Sequence, residues 1–160
     1  TFGICLGMQC MVIEFARNVL GYTDASSSEL DDKTPHNVID IMEEQKSVTS
    51  MGGTMRLGAY ECVLQEGSKT YQAYGMKYIQ ERHRHRYEFN NQYKDEYEAA
   101  GMKCVGINPE SELVEIVEVP KLKWFAGTQF HPEYSSTVLQ PHPLFVAFVK
   151  AAIENKSDQK

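Results

Sequence analysis

Apolar residues recur at helical spacing in several stretches of the sequence. Between residues 9 and 20 they fall on one face of a helix, and Gly21 follows where a helix would stop. The same reasoning predicts further helices at residues 68–74, 92–100 and 141–153, the second of them closed by Gly101. Pro143 suits the first turn of the last helix, whose apolar stripe comprises Leu144, Phe145, Phe148, Val149 and Ile153.

Strand-like segments alternate with these helices. They are predicted at residues 55–64, 78–89, 103–107, 113–119 and 124–130. The polar segment 23–35 indicates a loop, Gly52-Gly53 a turn, and segment 38–44 fits either a helix or a strand. The alternation predicts an α/β domain over residues 1–154, a layered open sheet with flanking helices, followed by a disordered tail at 155–160.

Composition narrows the class of protein. The 160 residues suffice for one domain with a real core, and the hydrophobic fraction of 42% is ordinary for a globular protein. A formal net charge of −6 argues against non-specific binding to nucleic acid or anionic membranes. We recognise neither a bilayer-spanning apolar run nor a signal peptide, so we expect a cytoplasmic protein without nucleic-acid or membrane partners.

The four cysteines lack CxxC spacing, which favours free thiols in a reducing compartment. Cys10, Cys62 and Cys104 are expected to be small core residues. Cys5 differs because Gly3-Ile4-Cys5-Leu6-Gly7 is a G-x-C-x-G pattern at a strand–helix junction, the cysteine version of the G-x-S-x-G nucleophile elbow. The alternative is a buried structural cysteine in a glycine-flanked turn.

The interpretation as a nucleophile elbow leads to three further predictions for this segment. The flanking glycines would remove side chains that collide in the tight turn. The helix N-terminus would favour the reactive thiolate over the thiol. The backbone N–H of Leu6 would help to stabilise an oxyanion.

The segment Phe130-His131-Pro132-Glu133 supplies a candidate base. In an extended chain, residues two apart share a face, so His131 and Glu133 can lie side by side while Pro132 faces away. His131 would take the thiol proton, and Glu133 would orient the ring and stabilise its charged form. The alternative is a surface His-Pro turn with an incidental carboxylate.

These two segments together resemble the class I glutamine amidotransferases, in which Cys, His and Glu form a catalytic triad that matches Cys5, His131 and Glu133. The resemblance implies the flavodoxin-like fold of that family. Segments 52–58, 81–88, 113–120 and 142–145 are similar to the CTP synthase branch, and the Arg-His-Arg-His-Arg run at 82–86 is the most specific of these similarities.

The resemblance implies a function for the longer protein. A glutaminase domain would hydrolyse L-glutamine through a thioester, and its ammonia would aminate ATP-activated UTP to CTP in a synthetase domain of the same polypeptide. This chain would hold no cofactor itself, whereas the full-length protein would use ATP, UTP, magnesium and allosteric GTP. A homo-tetramer is the expected assembly. The alternatives are another triad amidotransferase, a γ-glutamyl hydrolase, or a non-catalytic module that keeps the fold.

The resemblance also implies glutamine-binding residues. Leu6, Gly7, Met8 and Gln9 follow the nucleophile, and Glu29 and Arg86 match a glutamate and an arginine of the family. A carboxylate suits the α-amino group of glutamine, and a guanidinium suits its α-carboxylate. The alternatives are an ordinary helix residue for Gln9, a solvated acidic loop for Glu29 and a basic surface strip for Arg86.

Three further expectations concern what surrounds these motifs. Only four residues precede Cys5, so we expect the chain to be part of a longer polypeptide and the fold to be incomplete at its N-terminus. The family's second oxyanion donor lies in a Gly-rich loop before the nucleophile, so the 160 residues alone are expected to be nearly inactive. His83 and His85 are not expected to bind a metal between three arginines, and a structural or interface role is predicted for them.

Overall fold

A computed structural model describes residues 1–41 and 55–158 of the chain. Over these residues nine strands are present: β1 (Phe2–Ile4), β2 (Ser26–Ser27), β3 (Asn37–Ile41), β4 (Arg56–Leu64), β5 (Tyr78–His85), β6 (Tyr87–Phe89), β7 (Lys103–Ile107), β8 (Val114–Glu118) and β9 (Ala126–Thr128). The same residues form four α-helices: α1 (Leu6–Phe15), α2 (Lys69–Tyr74), α3 (Lys94–Ala100) and α4 (Pro143–Ser157).

The strands form two sheets. The larger has the order β1-β9-β8-β7-β4-β5, and the smaller has the order β2-β3-β6. In the larger sheet β1 and β9 are parallel, while the other neighbouring strands run antiparallel. The predicted α/β arrangement of an open sheet with flanking helices is therefore confirmed.

Two apolar clusters hold the layers together. Val117 of β8 lies in one cluster with residues of α1 and α3, while Ile116 lies in the other with Leu144 of α4. In the first cluster the rings of Phe15 and Tyr97 stack at 5.6 Å, and the Tyr97 hydroxyl donates to the Val12 carbonyl at 2.9 Å. The large sheet therefore has its apolar side chains covered on both faces, as α/β layers require.

Most predicted helix ends are confirmed. Gly21 and Gly101 end their helices with φ of 82° and 108°, a conformation that glycine adopts without strain. The first helix begins earlier than predicted, at Leu6, and its last turn over Ala16–Leu20 is a π-helix. The third predicted helix begins with a 3₁₀ turn over Asn91–Tyr93.

The last helix is longer than the apolar spacing indicated. It runs to Ser157, so residues 155–157, predicted to be part of a disordered tail, are helical. Its predicted stripe is only partly covered, because Leu144 is buried while Val149 and Ile153 are more than half exposed.

Several segments differ from the predictions or lie outside the described residues. The ambiguous segment 38–44 forms strand β3 as far as Ile41, and its remainder lies outside the described residues, as does the predicted Gly52-Gly53 turn. The loop predicted at residues 23–35 contains the short strand β2. Cys62 and Cys104 are buried as predicted, but Cys10 is exposed on α1, so its prediction as a core residue is wrong.

Gly3 and Gly7 differ in the space around them. A Cβ at Gly3 would lie 2.7 Å from the carbonyl carbon of Gly7 and 2.8 Å from its oxygen, whereas a Cβ at Gly7 would meet nothing within 4 Å. The prediction that both glycines avoid a collision is therefore confirmed for Gly3 and wrong for Gly7. Gly3 is what allows strand β1 to pass closely against the first turn of α1.

We expect Gly3→Ala to destabilise the protein and Gly7→Ala to be tolerated. The first forces β1 away from the α1 backbone, at a cost of about 1–3 kcal/mol. The second replaces a helical glycine and should gain up to about 1 kcal/mol. Urea denaturation midpoints measure both changes. Equal midpoints for the two variants would show that the close approach at Gly3 has no energetic consequence.

Candidate active site

The tight strand–helix turn predicted at Cys5 is present. Cys5 separates β1 from α1 with φ of 49° and ψ of −105°, a backbone conformation that non-glycine residues rarely adopt. Its N–H donates to the Thr128 carbonyl at 2.7 Å, and its carbonyl accepts from the Gln9 N–H at 3.2 Å. These bonds hold the strained turn in place and present the thiol, which is half-buried, at the end of the strand.

The surroundings of the thiol do not favour its ionisation on balance. Burial raises the pKa of the Cys5 thiol, and the carboxylates of Glu133 and Glu88 raise it further. A hydrogen bond from the Leu6 backbone N–H and one from the Gln129 side chain act in the opposite direction on the same pKa. The Leu6 N–H at the helix N-terminus thus favours the thiolate as expected, but burial and the two carboxylates outweigh it. The thiol needs a base to remove its proton.

His131 and Glu133 form the predicted pair, although by a different local geometry. Glu133 lies in a 3₁₀ turn over Pro132–Ser135, not in an extended segment, and this turn brings its Oε1 to 2.6 Å from His131 Nδ1. The His131 ring also stacks on Tyr134, with ring centres 5.0 Å apart. Glu133 and Tyr134 together fix the orientation of the imidazole.

The hydrogen bond to Glu133 determines which nitrogen of the His131 ring can accept a proton. A carboxylate only accepts, so Nδ1 carries the hydrogen and Nε2 has the free lone pair. Nε2 of His131 is buried and has no hydrogen-bond partner among the described residues. It is therefore not yet hydrogen-bonded to the Cys5 sulfur, a contact that often tightens only in the substrate complex.

The pairing of β1 with β9 brings these groups to one edge of the sheet. Ile4 is in register with Thr128, and because the strands are parallel, Cys5 and Gln129 follow them at the same end. Gln129 Nε2 lies 3.5 Å from Cys5 Sγ, and Glu133 is near enough to raise the thiol pKa. The structure therefore brings Cys5 near Glu133, which is hydrogen-bonded to His131, although the sequence separates Cys5 from these two by more than a hundred positions.

A cavity of about 230 Å³ opens beside Cys5. Leu6, Gln9, Glu29 and Arg86, all predicted to bind glutamine, contribute to its wall, together with Met55, Arg84, His85 and Tyr87. Opposite charges thus line one cavity next to Cys5, which suits a zwitterionic amino acid. A larger groove of about 490 Å³ lies between α2 and α4 and contains none of the predicted site residues.

Two predicted glutamine contacts are not part of this cavity wall. The Met8 side chain is fully buried in the core cluster of α1, and its Cβ is 3.0 Å from where a Cβ of Gly127 would be. Gly7 is not among the lining residues either. The structure thus places the Met8 side chain away from the cavity, because helical spacing turns residue 8 toward the sheet.

A buried ionic cluster adjoins the cavity, whose wall includes one of its members, His85. It is composed of Arg56, His83, His85, Glu88 and Glu115. Arg56 Nη1 is 2.6 Å from Glu115 Oε1 and 3.4 Å from Glu88 Oε1. His83 Nδ1 and His85 Nε2 are 2.7 Å apart, and each ring also faces one of the two carboxylates at 3.4 Å. The Arg56 guanidinium thus forms ion pairs with two buried carboxylates.

Burial controls the protonation of this cluster. Burial and the nearby Arg56 lower the pKa of His83 to about 2 and that of His85 to about 3, so both rings are neutral near pH 7. Burial raises the pKa of Glu88 and of Glu115, although Arg56 opposes both shifts. The predicted structural role of the two histidines is supported by this geometry, and the described residues contain no cluster that could hold a metal ion.

Arg84, Gln129 and most of the ionic cluster were not predicted as functional residues from the sequence. A signal for the cluster was present, because strand β5 alternates exposed and buried positions throughout, with Arg82 and Arg84 exposed and His83 and His85 buried. A strand with one exposed and one buried face, predicted for the basic run, would have placed the histidines on one face and the arginines on the other. Nothing comparable marked Glu115 or Gln129, whose roles depend on contacts distant in sequence.

The fold and this site together define a class of protein. The family model described as glutamine amidotransferase class-I matches residues 1–151, so the chain belongs to this family. The resemblance drawn from the cysteine and histidine segments is confirmed. Over the described residues, no helix is long and apolar enough to cross a membrane.

Similar proteins within that family include CTP synthases. The chain is 83% identical over 158 residues to the CTP synthase of Bacteroides thetaiotaomicron and 61% identical over 160 residues to that of Porphyromonas gingivalis. These matches cover 99% and 100% of this chain but 29% and 30% of the relatives, so it spans less than a third of their length.

A solved structure supports the same relationship. The chain is similar to the glutaminase domain of Trypanosoma brucei CTPS with bound acivicin, with a TM-score of 0.89 and 38% identity. The match covers 96% of this chain and 60% of that one. The predicted class I amidotransferase fold and the narrower resemblance to CTP synthase are both confirmed.

Replacing Glu88 with glutamine tests the buried ionic cluster. Because burial raises the Glu88 pKa, the folded protein keeps a proton that the unfolded chain releases. Glu88 therefore lowers the free energy of unfolding as pH rises from its ordinary pKa of 4.5 through its folded value. We expect Glu88→Gln to remove part of this slope, at most about 1.4 kcal/mol per pH unit.

Denaturation midpoints across mildly acidic to mildly alkaline pH provide the measurement. Glu61→Gln is the control, because Glu61 is exposed on β4, and its removal should leave the slope as it is in the unmodified protein. If Glu88→Gln showed the same pH dependence as the control, Glu88 would not carry a raised pKa in the folded state.

Proposed function

We propose that this chain is the glutaminase part of a CTP synthase and that Cys5, His131 and Glu133 are its catalytic triad. The observation that carries the proposal is the arrangement at one sheet edge. Cys5 lies on a strained elbow, and His131 presents a buried, unpartnered Nε2 on the same side while Glu133 holds Nδ1 at 2.6 Å. A thiol, a base with one free nitrogen and an orienting carboxylate are the parts that thiol-based acyl transfer needs.

The proposed reaction proceeds in two halves. The thiol proton passes to His131 Nε2 as Cys5 Sγ attacks the carboxamide carbon of L-glutamine. Protonated His131 then gives its proton to the departing nitrogen, which leaves as ammonia, and a glutamyl thioester remains on Cys5. Water, losing a proton to His131, attacks the thioester carbonyl and releases glutamate and the Cys5 thiol.

Polar and charged groups near Cys5 are proposed to stabilise the intermediate and to bind the substrate. The Leu6 N–H lies next to the sulfur, and we propose that it donates to the oxyanion as the tetrahedral intermediate forms. Glu29 and Arg86 line the cavity and are proposed to bind the α-amino group and the α-carboxylate of glutamine. Arg84 lines the same cavity and offers a second cation, which the sequence analysis did not predict.

The remaining activity is proposed for the whole polypeptide. Ammonia from this site would aminate ATP-activated UTP in a synthetase domain outside these 160 residues, with magnesium bound there and GTP as activator. We also propose a homo-tetramer in the cytoplasm. The CTP synthases that this chain resembles support the synthetase partner.

Cys5→Ala should abolish glutamine-dependent ammonia release by the full-length polypeptide. Without the sulfur there is no thioester, so we expect a loss of at least about a thousandfold. Cys10→Ala is the matched control, since Cys10 is an exposed thiol five positions away on α1 and should keep full activity. A glutamine-like electrophile should label Cys5 and not Cys10. Ammonia release that survives Cys5→Ala would favour a non-catalytic module.

Neutralising Glu29 or Arg86 should weaken glutamine binding. Glu29→Gln and Arg86→Gln each remove one charge from the cavity, and we expect KM for glutamine to rise about ten- to a hundredfold with a smaller change in kcat. Asp32→Asn in the same loop and Arg82→Gln on the exposed side of β5 remove the same charges outside the cavity. If the controls raised KM as much as the cavity variants, net charge and not a binding site would explain the effect.

A further inference from the structure

Gln129 is a fully buried polar residue directly after β9. Its backbone N–H donates to the Glu115 carbonyl at 2.8 Å, which fixes the residue against the neighbouring strand. Its side-chain Nε2 lies 3.5 Å from Cys5 Sγ, within range of an N–H···S hydrogen bond. Neither the triad nor the glutamine contacts proposed above involve this residue.

The orientation of the Gln129 amide follows from a chain of contacts that ends on a backbone carbonyl. The Tyr87 carbonyl can only accept, so the Gln9 atom 3.0 Å from it is the donor Nε2. The same Nε2 lies 3.2 Å from the Gln129 side chain, which must therefore present its acceptor Oε1. Gln129 Nε2 is then left facing the sulfur.

We propose that Gln129 is a positioning residue that donates a hydrogen bond to the Cys5 sulfur and stabilises its thiolate, with Gln9 and the Tyr87 carbonyl holding the amide in the donating orientation. Its relevance to turnover rests on the proposed glutaminase function. The existence of the hydrogen bond does not depend on that function.

The charges around the sulfur explain why such a donor matters. Glu133 and Glu88 both disfavour negative charge on Cys5, and burial acts in the same direction. A hydrogen bond from a neutral amide favours the thiolate without adding a competing charge. The same bond would help expel the thiolate when the thioester breaks down, because it stabilises the sulfur as a leaving group.

The test measures thiol ionisation without glutamine. Cys5 in the full-length polypeptide, carrying Cys10→Ala to remove the exposed thiol, is alkylated by iodoacetamide across a range of pH. Gln129→Met keeps the approximate side-chain volume and removes the donor. We expect the pH midpoint of alkylation to rise by about one unit, so that the rate at neutral pH falls about tenfold.

Two further variants separate this role from simple packing. Gln9→Leu leaves Gln129 in place but frees its amide to rotate, so the midpoint should rise by less than in Gln129→Met. Gln80→Met makes the same change on the exposed side of β5 and should leave the midpoint unaltered. A purely structural glutamine would change the denaturation midpoint without moving the alkylation midpoint.

The proposal is overturned if Gln129→Met folds and its Cys5 thiol is alkylated with the same pH midpoint as in the parent protein. Should that variant fail to fold, an unchanged alkylation midpoint in Gln9→Leu overturns it instead. Either result leaves the proposed glutaminase function standing, because that function is judged by ammonia release from Cys5→Ala.

Discussion

The parallel pairing of β1 with β9 is the constraint on which the site depends. Two parallel neighbours end at the same edge of a sheet, so the residues after Ile4 and after Thr128 leave the sheet side by side. The bond from the Cys5 N–H to the Thr128 carbonyl, 2.7 Å long, extends this pairing into the elbow itself. Cys5, Gln129 and the segment that carries His131 all take their positions from this one strand contact.

The protein surrounds the sulfur of Cys5, which is not readily ionised, with groups that act on its charge in opposite directions. Burial and two carboxylates oppose the thiolate, while the donors Leu6 N–H and Gln129 favour it. Beside the cavity, burial keeps His83 and His85 neutral, whereas the Nε2 of His131 has no hydrogen-bond partner among the described residues. The proposed proton transfer from Cys5 therefore involves His131 and neither of the two buried rings.

Local features of the site could be predicted from the sequence because they depend on a few adjacent residues. The elbow at Cys5, the pairing of His131 with Glu133 and the glycine helix ends belong to this group. The burial of Met8 and the exposure of Cys10 were not predicted, since they depend on how α1 is rotated against the sheet. Contacts between distant strands, such as that of Gln129 with Cys5, leave no local pattern at all.

Strand β5 carries a consequence for how this chain can change in length. Its arginines and histidines occupy opposite faces, and it pairs with β4 from Tyr78 to His85. Losing or gaining one residue inside that segment would exchange the faces, which would bury guanidinium groups and bring the imidazoles to the surface. An even-numbered change would keep the faces but shift the pairing. The number of residues in this strand is therefore more tightly restricted than the identity of its solvent-facing residues.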